Sequence, residues 1–169
     1  MFSPYNLDVI IRVTGDCPFV SPEIINYLID KHFKSGADYT SAKKISVGTS
    51  GEVYNVDALK QVLKKLKTAL HSEYMPWYFI NNSKHFKINK IDLPKNLIRS
   101  HRLTLDYEED LKMFNKLVNK SKKLASRLST REIFTILDKN PSISKINAKF
   151  KLIYLNKNFQ KNLRRVTLF

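Results

Sequence analysis

The sequence is poor in the residues that disulfide-rich and membrane-spanning proteins need. Its 169 residues contain one cysteine, one tryptophan and four glycines. A single cysteine excludes a disulfide framework within one chain and is typical of a reducing compartment. No apolar run approaches the roughly 20 residues required to cross a bilayer, and the first residues lack the pattern of a signal peptide. We therefore expect a cytoplasmic protein with no membrane span.

Acidic residues are also scarce relative to basic ones. Fifteen aspartates and glutamates stand against 30 lysines and arginines, which gives a net charge of +15. Residues 120–169 carry 13 of the basic residues and two acidic ones, a net of +11. Such a tail could bind RNA or anionic lipid through the electrostatic field of its positive charges. Because its lysines are dispersed among asparagine and isoleucine, nucleic-acid binding is the less favoured interpretation.

The order of predicted elements indicates an α/β fold in one domain of ordinary size. The segment Asp8–Thr14 has the near-continuous apolar character of a strand in a parallel sheet covered on both faces. Ser21 followed by Pro22 marks the start of a helix that stops near Gly36. The other predicted elements are a strand at Gly51–Asn55, a helix at Asp57–Leu70, a strand at Phe86–Leu93, a helix after Asp106 and a helix from Ser129 to Asn140.

The C-terminal residues form a separate part of this prediction. Residues 1–120 are expected to form the main domain, and residues 121–169 a basic, mainly helical extension. The stretch Ser142–Phe169 is apolar and basic, and its pattern does not distinguish helix from strand. We expect it to be less ordered or to pack on a partner.

Three other features have ordinary structural interpretations. His32 continues the apolar stripe of the first helix, so a packed histidine is favoured over a metal ligand. Cys17 has no obvious histidine partner that would make it a nucleophile. The dense aromatic group in Met75–Phe79 is typical of core packing or of a contact in a homodimer.

Two aspartates follow strand-like runs that lie far apart in the sequence. Asp16 comes shortly after the apolar run Val9–Ile11, and Asp106 comes directly after Leu103–Leu105. Open α/β sheets build their active sites at the carboxyl ends of their strands. If both strands deliver their aspartate to one rim, the pair predicts a site for a divalent cation such as Mg²⁺, which takes one or two carboxylates together with substrate phosphates.

Each aspartate also has a structural explanation. Asp16 lies in a Gly-Asp-Cys-Pro turn, where an aspartate side chain can bond nearby backbone N–H groups. Asp106 and Glu109 have the spacing of a capping box for the following helix. Residue type alone leaves both alternatives open.

Five motifs in a fixed order resemble a known family. They are Arg12-Val13-Thr14-Gly15-Asp16-Cys17-Pro18, Gly36-Ala37-Asp38-Tyr39, Gly48-Thr49-Ser50-Gly51-Glu52-Val53-Tyr54, Ser72-Glu73-Tyr74-Met75 and Arg102-Leu103-Thr104-Leu105-Asp106-Tyr107-Glu108-Glu109-Asp110-Leu111. This order is similar to that of cytidylyltransferase-like proteins, the group of acylneuraminate cytidylyltransferases and spore-coat polysaccharide biosynthesis protein F. The resemblance covers roughly residues 8–120.

The resemblance implies a fold, a reaction and a set of site residues. The fold would be the Rossmann-like nucleotide-diphospho-sugar transferase fold with a mixed sheet. The reaction would transfer CMP from CTP to a sugar acid for surface polysaccharide or glycan synthesis. Asp16 and Asp106 would be the catalytic residues that hold Mg²⁺ against the phosphates. Glu52 and Glu73 would bind the sugar, and Arg12 would support the phosphates or the sugar carboxylate.

The chain also departs from the family pattern. Relatives begin with a strand and a basic Ser/Gly-bearing loop that cradles the triphosphate, and the sequence shows no such segment. Ser50 stands where many relatives have Asp, and Tyr74 where many have His. We therefore expect the C-terminal portion of the fold. The alternatives are a catalytically incomplete fragment that acts as a binding partner, and one half of a split enzyme.

Overall fold

The computed structural model describes residues 6–66, 71–150, 152 and 156–169. The strands are β1 (Val9–Arg12), β2 (Tyr39–Ala42), β3 (Glu52–Asn55) and β4 (Ile88–Ile91). The helices are α1 (Pro22–Ser35), α2 (Val56–Lys65), α3 (Met75–Ile80), α4 (Glu108–Ser121), α5 (Thr130–Lys139), α6 (Pro141–Ser144) and α7 (Lys157–Thr167). Short 3₁₀ turns lie at Ser72–Tyr74, Lys95–Leu97 and Ala125–Arg127. The predicted α/β class is confirmed.

The four strands form one mixed sheet in the order β1-β3-β2-β4. β3 is antiparallel to both β1 and β2, whereas β2 and β4 are parallel. The expectation that Asp8–Thr14 forms a parallel strand covered on both faces is wrong. β1 pairs antiparallel at the edge of the sheet, and Ile11 is 42% exposed. An apolar run reports the tendency of a segment to be buried, but the direction of its neighbour is decided elsewhere in the chain.

Helix α1 covers one face of the sheet. It starts as predicted, because the Ser21 side chain accepts a hydrogen bond from the Ile24 amide at 3.3 Å and Pro22 occupies the first turn. It ends at Gly36, whose φ of 58° is the left-handed conformation that glycine adopts readily. Ile24 and Leu28 are fully buried against Val53 of β3.

Helices α2 and α3 cover the opposite face. Tyr54 of β3 and Phe79 of α3 are fully buried there, with ring centroids 5.2 Å apart. The aromatic group Met75–Phe79 therefore contributes to the core, as one of its two predicted interpretations required. Helix α2 begins at Val56 and ends at Lys65, before the predicted end at Leu70. Residues 67–70 lie outside the described residues.

A second core lies beside the sheet and joins α4, α5 and α6. Leu103, Leu117, Phe134 and Ile143 are buried within it. Helix α5 begins at the predicted position with a capping box, in which Ser129 and Glu132 bond each other's backbone amides. Side chains from both sides of residue 120 share this core, and the division into two domains at that residue stays a prediction.

The final helix, α7, packs on α3. Asn82 donates to the Thr167 carbonyl at 2.7 Å and accepts from the Phe169 amide at 3.0 Å. The ambiguous stretch is thus helical over Lys157–Thr167, and it packs on its own chain. In the described part of the chain, no helix combines the length and the apolar character needed to span a membrane.

Candidate functional site

A tight turn after β1 presents Asp16. The Cys17 amide donates to the Thr14 carbonyl at 3.1 Å, which closes the turn that the Gly-Asp-Cys-Pro sequence predicts. The Asp16 side chain is half-buried and accepts a hydrogen bond from the Thr104 hydroxyl at 3.0 Å. Asp16 is therefore held against residue 104, although the two residues are 88 positions apart in the sequence.

The segment before Asp106 runs beside this turn. The Leu105 amide donates to the Asp16 carbonyl at 2.8 Å, and the Leu103 amide donates to the Val47 carbonyl at 2.7 Å. The prediction of a strand at Leu103–Leu105 is wrong, because the structure has a single parallel bridge there, between Val47 and Arg102. The convergence of the two distant segments is nevertheless present, since the residue bonded to Asp16 directly precedes Asp106.

Asp106 and Asp110 share one buried arginine. The Arg102 guanidinium donates to Asp106 and makes two hydrogen bonds with Asp110, at 2.9 and 3.1 Å. Arg102 is 7% exposed and Asp110 is fully buried, whereas the Asp106 side chain is 40% exposed. Asp106 therefore has one side toward the arginine and one side toward solvent.

The cap of α4 differs from the prediction by one residue. Asp110, rather than Glu109, accepts hydrogen bonds from the backbone amides of Asp106 and Tyr107, at 2.9 and 3.0 Å. Tyr107 is the residue before the first helical turn. Asp106 is thus free of the capping role that its spacing from Glu109 suggested.

Burial and hydrogen bonding shift the pKa values of two of these carboxylates in opposite directions. Burial raises the pKa of Asp16, but hydrogen bonds from Thr14 and Thr104 outweigh it and hold the pKa below its usual value. Burial likewise opposes ionisation of Asp110, and the bonds from Arg102 again leave its pKa lowered. Both residues are therefore carboxylates at neutral pH.

The three residues predicted to bind substrate are joined through the Arg12 guanidinium. Arg12 and Glu52 are opposite each other in the β1–β3 register, and their side chains form an ion pair at 3.1 Å. The second nitrogen of the same guanidinium donates to the Glu73 backbone carbonyl at 2.9 Å. Burial raises the pKa of Glu52, and the charge of Arg12 opposes that rise. The Glu73 side chain is exposed.

The residue types at Asp16 and Asp106 fit a hard cation. Carboxylate oxygens are the protein ligands that Mg²⁺ prefers, and one or two are enough when substrate phosphates and water supply the rest. The described residues contain no group of three or more histidine, cysteine, aspartate or glutamate side chains that could hold a metal by themselves. A cation at this place would therefore depend on these two carboxylates, and it stays a prediction.

Two other titratable residues have the structural roles expected of them. His32 is 2% exposed, and its ring nitrogen is 2.9 Å from the Thr40 hydroxyl. Burial raises the pKa of the Cys17 thiol, so the reactive thiolate is disfavoured at neutral pH.

Sequence reasoning missed three residues of this site. Arg102 and Asp110 lie within the last of the five motifs without a predicted role, and Asn147 lies in none of them. Asn147 is buried and donates to the Asp110 carboxylate at 2.8 Å and to the Arg102 carbonyl at 3.0 Å. The aspartates four and eight residues after Arg102 were the available signal for the first two, but no local pattern indicates Asn147.

Comparisons with known proteins identify the family of this chain. The family model described as Cytidylyltransferase matches residues 1–146. An uncharacterized protein of Methanocaldococcus jannaschii is 35% identical over 148 residues, which are 87% of this chain and 60% of that protein. The spore coat polysaccharide biosynthesis protein SpsF of Bacillus subtilis is 32% identical over 135 residues, 79% of this chain and 56% of that protein.

A solved structure supports the fold. A cytidylyltransferase from Leptospira borgpetersenii superposes with a TM-score of 0.71 at 23% identity, and the match covers 88% of this chain and 62% of that one. The chain spans about three fifths of the length of the relatives it matches. The family match extends over most of the chain, and it does not support the expectation of a C-terminal portion alone. The chain belongs to the cytidylyltransferase family.

Proposed function

We propose that this chain carries the cation-binding and sugar-binding side of a nucleotidyltransferase that transfers CMP from CTP to a sugar acid. The observation that carries the proposal is the bond from the Leu105 amide to the Asp16 carbonyl, which places the residue before Asp106 against Asp16. The name of SpsF, spore coat polysaccharide biosynthesis protein, supports a role in making surface polysaccharide or glycan.

The residues of the site divide into two groups with different tasks. Asp16 and Asp106 would hold Mg²⁺, which when bound neutralises phosphate charge during nucleotidyl transfer. Arg12 joins β1, Glu52 and the Glu73 backbone, so it fixes the position of the groups that would bind sugar hydroxyls. Little covalent work falls to the protein in such a reaction, because positioning and charge neutralisation lower the barrier.

The metal proposal is tested with the chain itself. We expect isothermal titration calorimetry to detect Mg²⁺ binding, and the substitutions Asp16→Asn and Asp106→Asn to abolish it. Asp30→Asn is the matched control, because Asp30 pairs with Lys34 on the exposed surface of α1. Equal Mg²⁺ binding by the wild type and the Asp106→Asn variant would contradict the assignment.

Turnover is tested in a chimera in which this chain replaces the residues of SpsF that it matches. We expect release of pyrophosphate from CTP in the presence of Mg²⁺ and a nonulosonic acid. Asp106→Asn should abolish this release and lower the free energy of unfolding by about 1 kcal/mol at most, because its ion pair with Arg102 is partly exposed. Full activity of the variant would show that Asp106 does not serve the reaction.

A second candidate is a catalytically incomplete protein that acts as a binding partner or as half of a split enzyme. The two candidates differ when the unmatched part of SpsF is added as a separate polypeptide. Pyrophosphate release by the mixture supports a split enzyme, and binding without turnover supports a partner role.

A further inference from the structure

Helix α7 presents a stripe of basic side chains to solvent. The helix contains no acidic residue, and no aspartate or glutamate follows Asp138 in the sequence. Its basic residues, all of them exposed, are Lys157, Lys161, Arg164 and Arg165. Residues spaced by four, seven and eight positions share one face of a helix, so these four side chains form one stripe about 12 Å long. We call it the basic stripe.

The opposite face of α7 is fixed against the rest of the molecule. Leu163 and Thr167 are buried, and the Phe159 ring lies edge-on to the Tyr74 ring with centroids 5.3 Å apart. The Thr167 hydroxyl accepts a hydrogen bond from the Asn81 side-chain amide at 2.7 Å. These contacts come from positions that repeat every four residues, on the side away from the basic stripe. Docking therefore uses the apolar face of α7 and turns the cations outward.

The basic stripe has no counter-charge among the described residues. None of its four side chains makes an ion pair there. By contrast, Lys34, Lys60 and Lys112 on other helices each pair with an acidic residue three or four positions away. Clustered cations without partners raise the local positive potential, which attracts a surface of negative charge.

Two features favour anionic lipid over nucleic acid as the source of that negative charge. Leu168 is 52% exposed, and its amide donates to the Arg164 carbonyl at 3.0 Å, so an apolar side chain lies directly after the basic stripe. Cations beside an exposed apolar side chain suit the lipid–water interface. Binding of single-stranded nucleic acid uses aromatic rings on which bases stack, but the one ring of α7, Phe159, is packed on Tyr74.

We propose that the basic stripe of α7 binds the anionic surface of a lipid membrane. The four cations attract the headgroup phosphates, and Leu168 enters the interface. The contact between Phe159 and Tyr74 lies on the other side of α7, so about one helix diameter, roughly 10 Å, separates the membrane from the turn that bears Glu73. Membrane binding of this kind goes beyond the proposed reaction and does not require it to occur.

Binding is measured by sedimentation of the chain with vesicles of phosphatidylglycerol and phosphatidylcholine in equal parts. We expect the chain to bind these vesicles, to bind vesicles of phosphatidylcholine alone much more weakly, and to dissociate as the salt concentration rises. Equal binding to both kinds of vesicle, or no binding to either, would overturn the proposal.

The basic stripe is tested by removing two of its charges. The double substitution Arg164→Gln and Arg165→Gln should weaken binding to the anionic vesicles about 25-fold, since each cation near such a surface contributes about fivefold. Lys116→Gln with Lys120→Gln is the matched control, because both lysines are exposed on α4 and the net charge changes by the same amount. An equal loss in both double variants would show that binding follows net charge alone, and the proposal would fail.

RNA is the competing partner, and polyuridylate is its probe. Leu168→Gln should weaken vesicle binding severalfold and leave polyuridylate binding unchanged, because the lipid interface accepts an apolar side chain. Tighter binding of polyuridylate than of anionic vesicles, lost in the Arg164→Gln, Arg165→Gln variant, would assign the basic stripe to RNA and overturn the proposal. None of these measurements involves CTP, so failure of membrane binding and failure of the proposed reaction are distinguishable.

Discussion

At the residue scale, Asp110 is the most constrained side chain near the site. It is fully buried, and its two oxygens accept hydrogen bonds from Arg102, Asn147 and the backbone amides of Asp106 and Tyr107. A buried carboxylate of this kind is stabilised by its partners, and the partners are in turn left unpaired when it is removed.

We expect Asp110→Asn to lower the free energy of unfolding by about 3–5 kcal/mol, because it leaves the buried Arg102 without its main counter-charge. Urea denaturation measures the change. Glu109→Gln is the control, since Glu109 pairs with an exposed Lys149 and the substitution should change the free energy of unfolding little. Similar losses in both variants would contradict the role assigned to Asp110.

The same carboxylate predicts a dependence of stability on pH. The folded protein holds the pKa of Asp110 below its unfolded value. Ionised Asp110 therefore stabilises the fold fully at pH values above the ordinary aspartate pKa of about 3.9. This contribution is lost as the pH falls from there through the folded pKa. We expect the difference in unfolding free energy between the wild type and Asp110→Asn to shrink in that range, measured from pH 6 to pH 2. A constant difference would contradict the linkage.

Sequence spacing predicted the capping residue of α4 to within one position. Asp106 with Glu109 and Tyr107 with Asp110 both have the i, i+3 spacing of a capping box, so spacing alone could not choose between them. The choice depends on Arg102, which is buried beside Asp110, and burial is a property of the assembled molecule. The same limit hid Asn147, which reaches Asp110 from 37 residues away.

At the scale of elements, the close approach of two loops decides whether the site forms. Gly48 has a φ of 88°, and a Cβ added there would overlap the Leu103 carbonyl. The loop before β3 therefore reaches the segment that leads to Asp106 only because residue 48 has no side chain.

We expect Gly48→Ala to destabilise the protein by more than about 1 kcal/mol, since the left-handed backbone and the steric overlap both act against it. Thermal unfolding measures the effect. Gly15→Ala is the matched control, because a Cβ at Gly15 would have no neighbour within 4 Å. A loss of stability at Gly15 equal to that at Gly48 would contradict this explanation.

Elements with strong local signals were predicted well, and those that depend on distant partners were not. The start of α1 at Ser21-Pro22 and the start of α5 at Ser129 follow from side chains that cap their own helix. The direction of β1 could not be read in this way, because an apolar run has the same appearance beside a parallel or an antiparallel neighbour.

At the scale of the whole molecule, the C-terminal helix α7 packs on α3, one of the helices that cover the sheet. It does so although it lies outside the residues matched by the family model. Asn82 is 3% exposed and bonds the Tyr78 carbonyl, the Thr167 carbonyl and the Phe169 amide. The last helix of the predicted basic extension is therefore attached to the core through one buried amide side chain and its neighbours.

We expect Asn82→Ala to lower the free energy of unfolding by about 2–3 kcal/mol, because it removes buried hydrogen bonds and leaves backbone groups unpaired. Amide exchange in α7 should become faster than exchange in α1. Asn162→Ala, on the exposed side of α7, is the control and should leave both quantities nearly unchanged. Uniform acceleration throughout the protein would show that α7 is not a separate stabilised unit.

The buried guanidinium of Arg102 has a consequence for the net charge around Asp106. One guanidinium carries a single positive charge, so Arg102 offsets one of the two negative charges of Asp106 and Asp110 and leaves a net charge of −1. The surplus negative charge lies at the partly exposed Asp106, where it attracts cations from solution, whereas the buried Asp110 already has its counter-charge within the protein.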